Sequence, residues 1–322
     1  MSGNSLNLKI AKQKILEARN IVIAGHINPD GDSIGSLLSL GLGLKQLGKQ
    51  ICMISEDGVP NRYRTLPGAL YIRKDLKINP DLAIAVDCSN EEILGKTFDI
   101  FCKAKNILEI DHHEFRRPFG NIKLIDHRAA AVGELIYLLL RGLKIKITKD
   151  IAQNLLTSII VETNSFSLPN VRPFTFEVCA ELIKKKVDFH KLVEMVFWSK
   201  TKAAVVLTGI CLSRCKFLKS AKIAWSIIRQ SDFDKAKGRD EDVDAVADQL
   251  RSISSVKIVV LFREKHKGKL RVSLRSKNNI NVASVAEKYK GGGHFDVAGC
   301  TISNNPRSIK AFLREAAALL NK

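Results

Sequence analysis

The stretch IVIAGHINPDGDSIGS at residues 21–36 decides the expected fold. Its first four residues are apolar and mostly β-branched, which is the pattern of a buried strand. Polar side chains follow at once, because His26, Asp30 and Asp32 come directly after that strand. The carboxyl ends of strands in an open α/β sheet form the crevice in which ligands bind. The stretch therefore predicts a strand, a turn and a helix, with polar side chains in such a crevice.

An imidazole and two carboxylates this close together would repel or compete with one another unless a cation joined them. Their mixed nitrogen and oxygen donors suit Mn²⁺, Mg²⁺ or Zn²⁺. A helix opened by Ser33 would also direct its backbone N–H groups at an anion. The alternative interpretation is a polar loop that caps this helix through Asp32 or Ser33.

Strand and helix patterns alternate through the first half of the chain, which predicts a parallel sheet covered by helices. Helical patterns then dominate from residue 133 to about residue 212. The expected strands are 21–26, 50–55, 82–88 and 106–111, and the expected helices include 33–47, 133–141, 150–162, 175–186, 189–198 and 202–212.

A second α/β pattern begins near Lys222, with expected strands at 223–229, 257–263 and 269–275 and expected helices at 242–252, 282–289 and 308–320. We therefore expect an α/β protein of two domains with a substrate cleft between them. The expected parts are an N-terminal parallel-sheet domain over 1–190, a helical linker over 191–220 and a smaller C-terminal α/β domain over 221–322.

Composition narrows the class of protein. The 322 residues carry a net charge of +19, of which +14 lies in residues 200–322. A strongly basic second half suggests a polyanionic partner such as a nucleotide or nucleic acid, although a solvated basic surface is the alternative. Seven scattered cysteines without a CxxC pair favour reduced thiols. No apolar run reaches the length of a membrane span, and we expect a cytoplasmic protein with no membrane partner.

Three further groups of polar residues follow strand patterns or end a helix pattern. Asp87 lies at the end of the expected strand at 82–88, and Asp111, His112 and His113 lie at the end of the strand that begins at Asn106. Adjacent histidines have diverging side chains, so only one of them can point at a given metal. The third group is Glu162, at the end of the helix at 150–161. Each group also has an ordinary interpretation: Asp87 would cap a helix, the histidines would lie on the surface in a turn, and Glu162 would be solvated.

Taken together, these motifs resemble those of the DHH phosphoesterase family. The pattern is His26-x-x-x-Asp30-x-Asp32, then Asp87, then Asp111-His112-His113, then an acid at a helix end. The second half resembles the DHH-associated C-terminal domain, because Gly291-Gly-Gly-His294 precedes Val297-Ala-Gly299 and Arg275-Ser276 lies upstream. A glycine-rich loop that enters a helix there would allow close backbone approach to a phosphate.

The resemblance implies a phosphoesterase with two divalent cations, for which Mn²⁺ is expected and Mg²⁺ is the alternative. Asp87 would bridge the ions, Asp111 would be a ligand or would orient an imidazole, and His113 would contact the substrate phosphate. One ion would be held by His26, Asp30 and Asp87, and the other by Asp32, Asp87, His112 and Glu162. The expected substrate-binding residues of the second domain are Arg275, Ser276, Gly292, Gly293 and His294.

The expected activity is hydrolysis of short single-stranded oligoribonucleotides to mononucleotides, together with removal of the 3′-phosphate of adenosine bisphosphate. The alternatives are hydrolysis of linear or cyclic dinucleotides, and a nucleotide- or RNA-binding protein impaired in catalysis. A homodimer is a further expectation from the resemblance.

One position departs from the family pattern. The family usually has Asp followed by Thr-Gly at the helix end, whereas this chain has Glu162-Thr163-Asn164. Glu keeps the carboxylate but is one methylene longer, so we expect it to bind metal if the helix end lies slightly further from the ion.

Overall fold

The computed structural model describes residues 2–75, 79–243, 246–265, 267–277, 279–293 and 295–321. These residues form two compact units, 1–199 and 200–322, and each unit has its own β-sheet. The expected mixed α/β class and the expected parallel sheet of the first half are confirmed. The finer division into 1–190, 191–220 and 221–322 stays a prediction.

The first unit contains a six-stranded sheet in the order β3-β2-β1-β4-β5-β6, and all its strand pairs are parallel. The order reverses between β1 and β4, and ligands of such sheets bind where the carboxyl ends of the strands diverge at this reversal. The strands are β1 (Asn20–Ala24), β2 (Gln50–Ile54), β3 (Ile72–Arg73), β4 (Leu82–Val86), β5 (Asn106–Asp111) and β6 (Ile122–Ile125).

Helices cover this sheet, and the core strands bury side chains on both faces. Helix α2 packs closely along α5. Glycine is needed at position 35 for this contact, because a Cβ there would lie 2.5 Å from the backbone oxygen of Asn154. The helices are α1 (Ser2–Glu17), α2 (Gly31–Lys45), α3 (Thr97–Phe101), α4 (Val132–Gly142), α5 (Lys149–Glu162), α6 (Pro173–Ile183) and α7 (Phe189–Val193), with a π-helical turn at Glu194–Trp198.

The second unit contains a sheet in the order β11-β12-β10-β9-β8-β7, with one parallel pair between β8 and β9. Its strands are β7 (Lys216–Leu218), β8 (Ile223–Ile228), β9 (Ile258–Lys265), β10 (Lys269–Ser276), β11 (Gly292–Gly293) and β12 (Val297–Ser303). Its helices are α8 (Lys202–Ser213), α9 (Gln230–Ala236), α10 (Val246–Arg251), α11 (Ala283–Lys288) and α12 (Pro306–Ala318).

The expectation that the glycine-rich loop enters a helix is wrong. Gly292 and Gly293 form β11, which pairs antiparallel with β12. Glycine is needed because the strands approach closely: a Cβ at Gly293 would lie 2.4 Å from the backbone oxygen of Val297, and its φ is +143°. The loop therefore ends in a β-hairpin.

The start of α2 also differs from the sequence-based expectation. The helix begins at Gly31, and its N-cap is Asp30, whose side chain accepts a hydrogen bond from the Ser33 backbone N–H. Neither Asp32 nor Ser33 is the cap, so the Asp32 carboxylate is available for other contacts. The expected helix at 189–198 ends as an α-helix at Val193 and continues as a π-helical turn.

No single helix in the described part of the chain has the length and apolar character to cross a membrane, although the bent pair Phe189–Trp198 and Lys202–Ser213 meets both criteria together.

Candidate metal centre

Residues after β1 bring an imidazole and a carboxylate to the carboxyl edge of the sheet. The Nδ1 atom of His26 lies 2.8 Å from the backbone oxygen of Ile27. Because a carbonyl only accepts hydrogen bonds, Nδ1 carries the proton and Nε2 carries the lone pair. Nε2 lies 3.8 Å from Asp30 Oδ1 and 3.5 Å from Asp87 Oδ2. This side of His26 is therefore suited to bind a metal together with the two carboxylates.

The Asp87 carboxylate follows β4, directly beside the end of β1. The residue is buried and has a left-handed backbone, with φ of +59°. One carboxylate oxygen faces His26, and the other lies 3.7 Å from Nδ1 of His113. Asp87 thus has histidines on both sides, as expected of a carboxylate shared between two sites.

A second group of possible ligands joins three different elements. His112 follows β5, and its Nδ1 lies 2.9 Å from the backbone oxygen of Ala129, so its Nε2 also carries the lone pair. That Nε2 lies 3.8 Å from Asp32 Oδ2 on α2 and 3.7 Å from Glu162 Oε1 at the end of α5. The Glu162 carboxylate therefore lies beside His112, where the family resemblance implies an acid at the end of this helix.

The donor set fits a divalent cation. Among the described residues, three groups have ligand atoms within 4.8 Å of one another, and Asp87 and His112 each belong to two of them. The groups are His26, Asp30 and Asp87; Asp32, His112 and Glu162; and Asp87, His112 and His113. The structure thus brings together all six residues for which the sequence predicted metal ligation, while their binding of metal stays a prediction.

His113 is held differently from His112. Its Nδ1 lies 2.6 Å from Asp111 Oδ1, and the other oxygen of Asp111 accepts a hydrogen bond from Arg116 Nε at 3.0 Å. Nδ1 is therefore engaged with Asp111, which lies behind the imidazole and orients it. Burial alone would lower the pKa of His113, but the hydrogen bond to Asp111 and the charge of Asp87 outweigh burial and raise this pKa to about 9.

The carboxylates of the centre destabilise one another in the absence of a cation. Burial, followed by the charge of Asp87, raises the pKa of Asp32 to about 7. Burial and the charge of Asp32 likewise raise the pKa of Glu162 well above its usual value. Buried acids are normally paired with cationic groups or metals. A bound divalent cation would remove this repulsion.

The five residues that were expected to bind substrate all belong to the second unit. Arg275 and Ser276 end β10, where the buried Ser276 hydroxyl donates a hydrogen bond to the backbone oxygen of Ile280 at 2.6 Å. Gly292 and Gly293 are exposed in β11, and His294 lies outside the described residues. Substrate binding by these five residues stays a prediction.

Three contacts with the centre escaped the sequence analysis. Arg116 supports Asp111, Ser158 Oγ donates to Asp32 Oδ1 at 2.6 Å, and the Val132 N–H donates to Asp32 Oδ2 at 2.9 Å. Backbone groups and serines carry no distinctive sequence signal. A signal was present for Glu134, which is a lone acid in the apolar stretch 129–140.

The turn after Glu162 has an unusual backbone. Asn164, Ser165 and Phe166 are consecutive left-handed residues, with φ of 44°, 57° and 65°. A left-handed conformation costs a non-glycine residue about 1–2 kcal/mol. The turn comes shortly after Glu162, whose carboxylate faces His112. The conformational free-energy cost of the left-handed residues therefore lies beside the candidate metal centre.

Replacing Ser165 by Gly is expected to stabilise the protein by roughly 0.5–1 kcal/mol, because the gain from relieving the left-handed backbone exceeds the entropy cost of glycine. Chemical denaturation measures this difference. Ser165→Ala is the matched control, since it removes the same exposed hydroxyl without relieving the backbone. Equal stabilities of the Gly and Ala variants would contradict the explanation.

Two family models match the chain. The model described as the DHH family, N-terminal domain, matches residues 20–159, and the model of the DHHA1 domain matches residues 221–322. The first match contains every residue of the three groups of possible metal ligands except Glu162.

Relatives and solved structures agree with these matches. The chain is 28% identical, over 88% of its length and 84% of the relative's, to the bifunctional oligoribonuclease and PAP phosphatase NrnA of Thermus thermophilus. Its fold matches an exopolyphosphatase-related protein of Bacteroides fragilis, with a TM-score of 0.92, 22% identity and coverage of 99% and 98% of the two chains. It also matches RecJ of T. thermophilus in complex with Mn²⁺, with a TM-score of 0.54, 14% identity and coverage of 100% and 55%.

Proposed function

Because the chain belongs to the DHH family and carries a DHHA1 domain, we propose that it is a phosphoesterase that hydrolyses short oligoribonucleotides to mononucleotides with two divalent cations. We further propose that it removes the 3′-phosphate of adenosine bisphosphate. The observation that carries the proposal is the convergence of two acid–histidine groups, joined through Asp87, at the reversal point of the sheet. The activity printed in the name of the T. thermophilus relative supports the substrate class.

We propose Mn²⁺ as the native metal, with Mg²⁺ as the alternative. His26, Asp30 and Asp87 would hold one ion, and Asp32, Asp87, His112 and Glu162 would hold the other. Two such cations lower the pKa of water and neutralise charge on the phosphoryl oxygens of the transition state. The RecJ structures that the chain matches in fold contain Mn²⁺ or Mg²⁺, which is consistent with a divalent cation of this kind.

The protein's own side chains have distinct tasks in this proposal. Asp111 keeps His113 oriented and cationic near neutral pH, because it raises the pKa of that imidazole. The cationic His113 would donate a hydrogen bond to a phosphoryl oxygen and stabilise its increasing negative charge. The basic second unit, with Arg275, Ser276, Gly292, Gly293 and His294, would bind the rest of the anionic substrate.

A substrate panel tests the proposal. Adenosine bisphosphate, a linear dinucleotide, a cyclic dinucleotide, a five-mer and a long single strand are each incubated with the protein in Mn²⁺ and in Mg²⁺. We expect mononucleotide release that is fastest from the short linear substrates, and exonucleolytic shortening of the five-mer. Turnover of the cyclic dinucleotide alone would favour the dinucleotide phosphodiesterase alternative. Binding without any turnover would contradict a catalytic function.

The pKa of Asp32 leads to a prediction about metal binding. A carboxylate must lose its proton to bind a metal. With a pKa of about 7, Asp32 is mostly protonated at pH 6 in the metal-free protein. Asp32 should therefore contribute about one proton to the release that accompanies Mn²⁺ binding at pH 6 and almost none at pH 8.5. Glu162 and His26, whose pKa values are also raised, must lose protons as well. The contribution of Asp32 alone should raise the affinity about tenfold between pH 6 and pH 8. Calorimetry in two buffers of different ionisation enthalpy measures the proton release.

The raised pKa of Asp32 also determines how the stability of the metal-free protein changes with pH. The folded-state pKa of Asp32 lies above its unfolded value of 3.8, so the associated stability is present below pH 4 and is lost as the pH rises through 7. Asp32→Asn should lower the proton release at pH 6 by about one and should remove this loss of stability. Proton release that is unchanged in Asp32→Asn would show that another group is responsible.

We also propose that the protein is cytoplasmic and acts as a homodimer. The seven described cysteines form no disulfide, and five of them are buried, which suits a reducing compartment. Sedimentation equilibrium of the full chain tests the dimer.

A further inference from the structure

Four consecutive residues, Ala129–Val132, connect β6 to α4 and touch two of the proposed metal ligands. The backbone oxygen of Ala129 accepts the hydrogen bond from Nδ1 of His112, and the backbone N–H of Val132 donates to Asp32 Oδ2. All four residues are buried. We call this stretch the connecting segment. Its position determines which way His112 Nε2 points and where the Asp32 carboxylate lies.

The connecting segment is itself fixed by Glu134 in the first turn of α4. The side chain of Glu134 is fully buried, and its Oε2 accepts a hydrogen bond from the Ala130 backbone N–H at 3.2 Å. A buried carboxylate is costly unless hydrogen bonds and an opposite charge compensate it. An alanine or leucine would suit this apolar helix better, so packing does not account for a carboxylate here.

Residues that follow α5 in the chain provide the compensation. Arg172 Nη2 and Thr175 Oγ1, at the start of α6, each donate to Glu134 at 2.6 Å. Asn170 adds a parallel link, because its side-chain amide donates to the Ala130 backbone oxygen at 2.9 Å and approaches the backbone oxygen of Glu162 at 3.4 Å. The stretch 170–175 is therefore tied both to the connecting segment and to the helix end that carries Glu162.

We propose that Glu134, held by Arg172 and Thr175, is a positioning residue for the metal group formed by Asp32, His112 and Glu162. The inference rests on the proposed metal-dependent function and adds a residue that touches neither metal nor substrate. Its effect is directed to one group, because the connecting segment contacts His112 and Asp32. The other group, with His26 and Asp30, takes its imidazole orientation from the Ile27 backbone oxygen.

The expected consequence follows from the geometry of the hydrogen bonds. In Glu134→Gln the side chain keeps one acceptor oxygen, replaces the other with an NH2 donor and loses the charge that pairs with Arg172. The three hydrogen bonds that the carboxylate accepts can then no longer all form, and the Ala129 oxygen is held less firmly opposite His112. Loss of groups that orient metal ligands typically lowers metal affinity by about 10- to 100-fold. We expect this loss for one Mn²⁺ only.

The experiment is Mn²⁺ titration of the full-length Glu134→Gln variant by isothermal calorimetry, beside the unchanged protein. We expect two binding steps in both proteins, with one step weakened about 10- to 100-fold in the variant and the other within twofold. Activity at low Mn²⁺ should fall and should be restored at high Mn²⁺. A merely structural role would weaken both steps together or neither.

Arg141→Gln is the control, because it changes the charge at the other end of α4, where Arg141 contacts Tyr137. Both of its binding steps should be unchanged. If Glu134→Gln does not fold, Thr175→Val removes one hydrogen bond to Glu134 at nearly constant volume and should weaken the same single step. Two unchanged steps in the folded variants overturn the inference. Fewer than two steps in the unchanged protein overturn the two-metal function instead, and the inference with it.

Discussion

Asp87→Asn is expected to lower kcat/KM for a dinucleotide by about 1,000-fold while the protein remains folded. Asp87 faces both histidine groups, so the substitution removes the negative charge that both proposed ions share. Metal ions contribute several kcal/mol of charge stabilisation to the transition state, and about 1.4 kcal/mol corresponds to tenfold in rate. The measurement is release of labelled mononucleotide in Mn²⁺.

Asn is the appropriate replacement at this position. The φ of Asp87 is +59°, and Asn tolerates the left-handed conformation better than other non-glycine residues. Removing this buried charge relieves its repulsion of Asp32 and also loses its attraction to His26 and His113. Circular dichroism and the melting temperature verify that the effect on activity does not arise from unfolding.

Asp81→Asn is the matched control, because Asp81 precedes the same strand at its opposite end. Its carboxylate accepts hydrogen bonds from the backbone N–H groups of Arg19 and Asn20, so it supports the chain rather than the centre. We expect activity within a few-fold of the unchanged protein. Similar activities of the Asp87 and Asp81 variants would contradict the role proposed for Asp87.

Glu162→Ala is expected to abolish binding of one of the two Mn²⁺ ions and to lower activity by about 100-fold, whereas Glu162→Asp should keep activity within about tenfold. Glu162 lies at the last position of α5, and its Oε1 is 3.7 Å from His112 Nε2. Its side chain is 30% exposed, so an alanine leaves no buried cavity. The shorter aspartate retains the carboxylate, and the helix end must move only slightly.

Metal analysis of the dialysed variants, together with the dinucleotide assay, separates these outcomes. One Mn²⁺ per chain in Glu162→Ala and two in Glu162→Asp would support the assignment. Two Mn²⁺ per chain in Glu162→Ala would show that Glu162 is not a ligand, and full activity of this variant with one Mn²⁺ per chain would show that catalysis does not need the second ion. In that case the function would not need an acid at this helix end.

Much of the centre could be predicted because its residues follow strands. The apolar strand patterns and the parallel arrangement together imply that residues after β1, β4 and β5 meet at one edge of the sheet, and His26, Asp87 and His112 do so. Glu162 depended on the family resemblance, since an acid at a helix end is ordinarily solvated. Its proximity to His112 follows from the tight packing of α5 against α2 around Gly35, which no local pattern reveals.

Other features could not be read from local patterns. The glycine-rich loop of the second unit suggested a helix, but its glycines serve close antiparallel pairing with β12. The connecting segment is an alanine-rich stretch whose contacts are made by backbone atoms. Contacts of this kind depend on tertiary structure, because any residue type provides the same N–H and C=O groups.

Electron paramagnetic resonance of the full chain loaded with two equivalents of Mn²⁺ tests the central claim most directly. Side chains from β1, α2, β4, β5 and α5 are claimed to hold two cations side by side, and ions about 3.5–4 Å apart in a shared carboxylate site are magnetically coupled. We predict the spectrum of an exchange-coupled pair, which Asp87→Asn converts to that of isolated ions. A spectrum of isolated Mn²⁺ in the unchanged protein when both sites are filled would contradict the account.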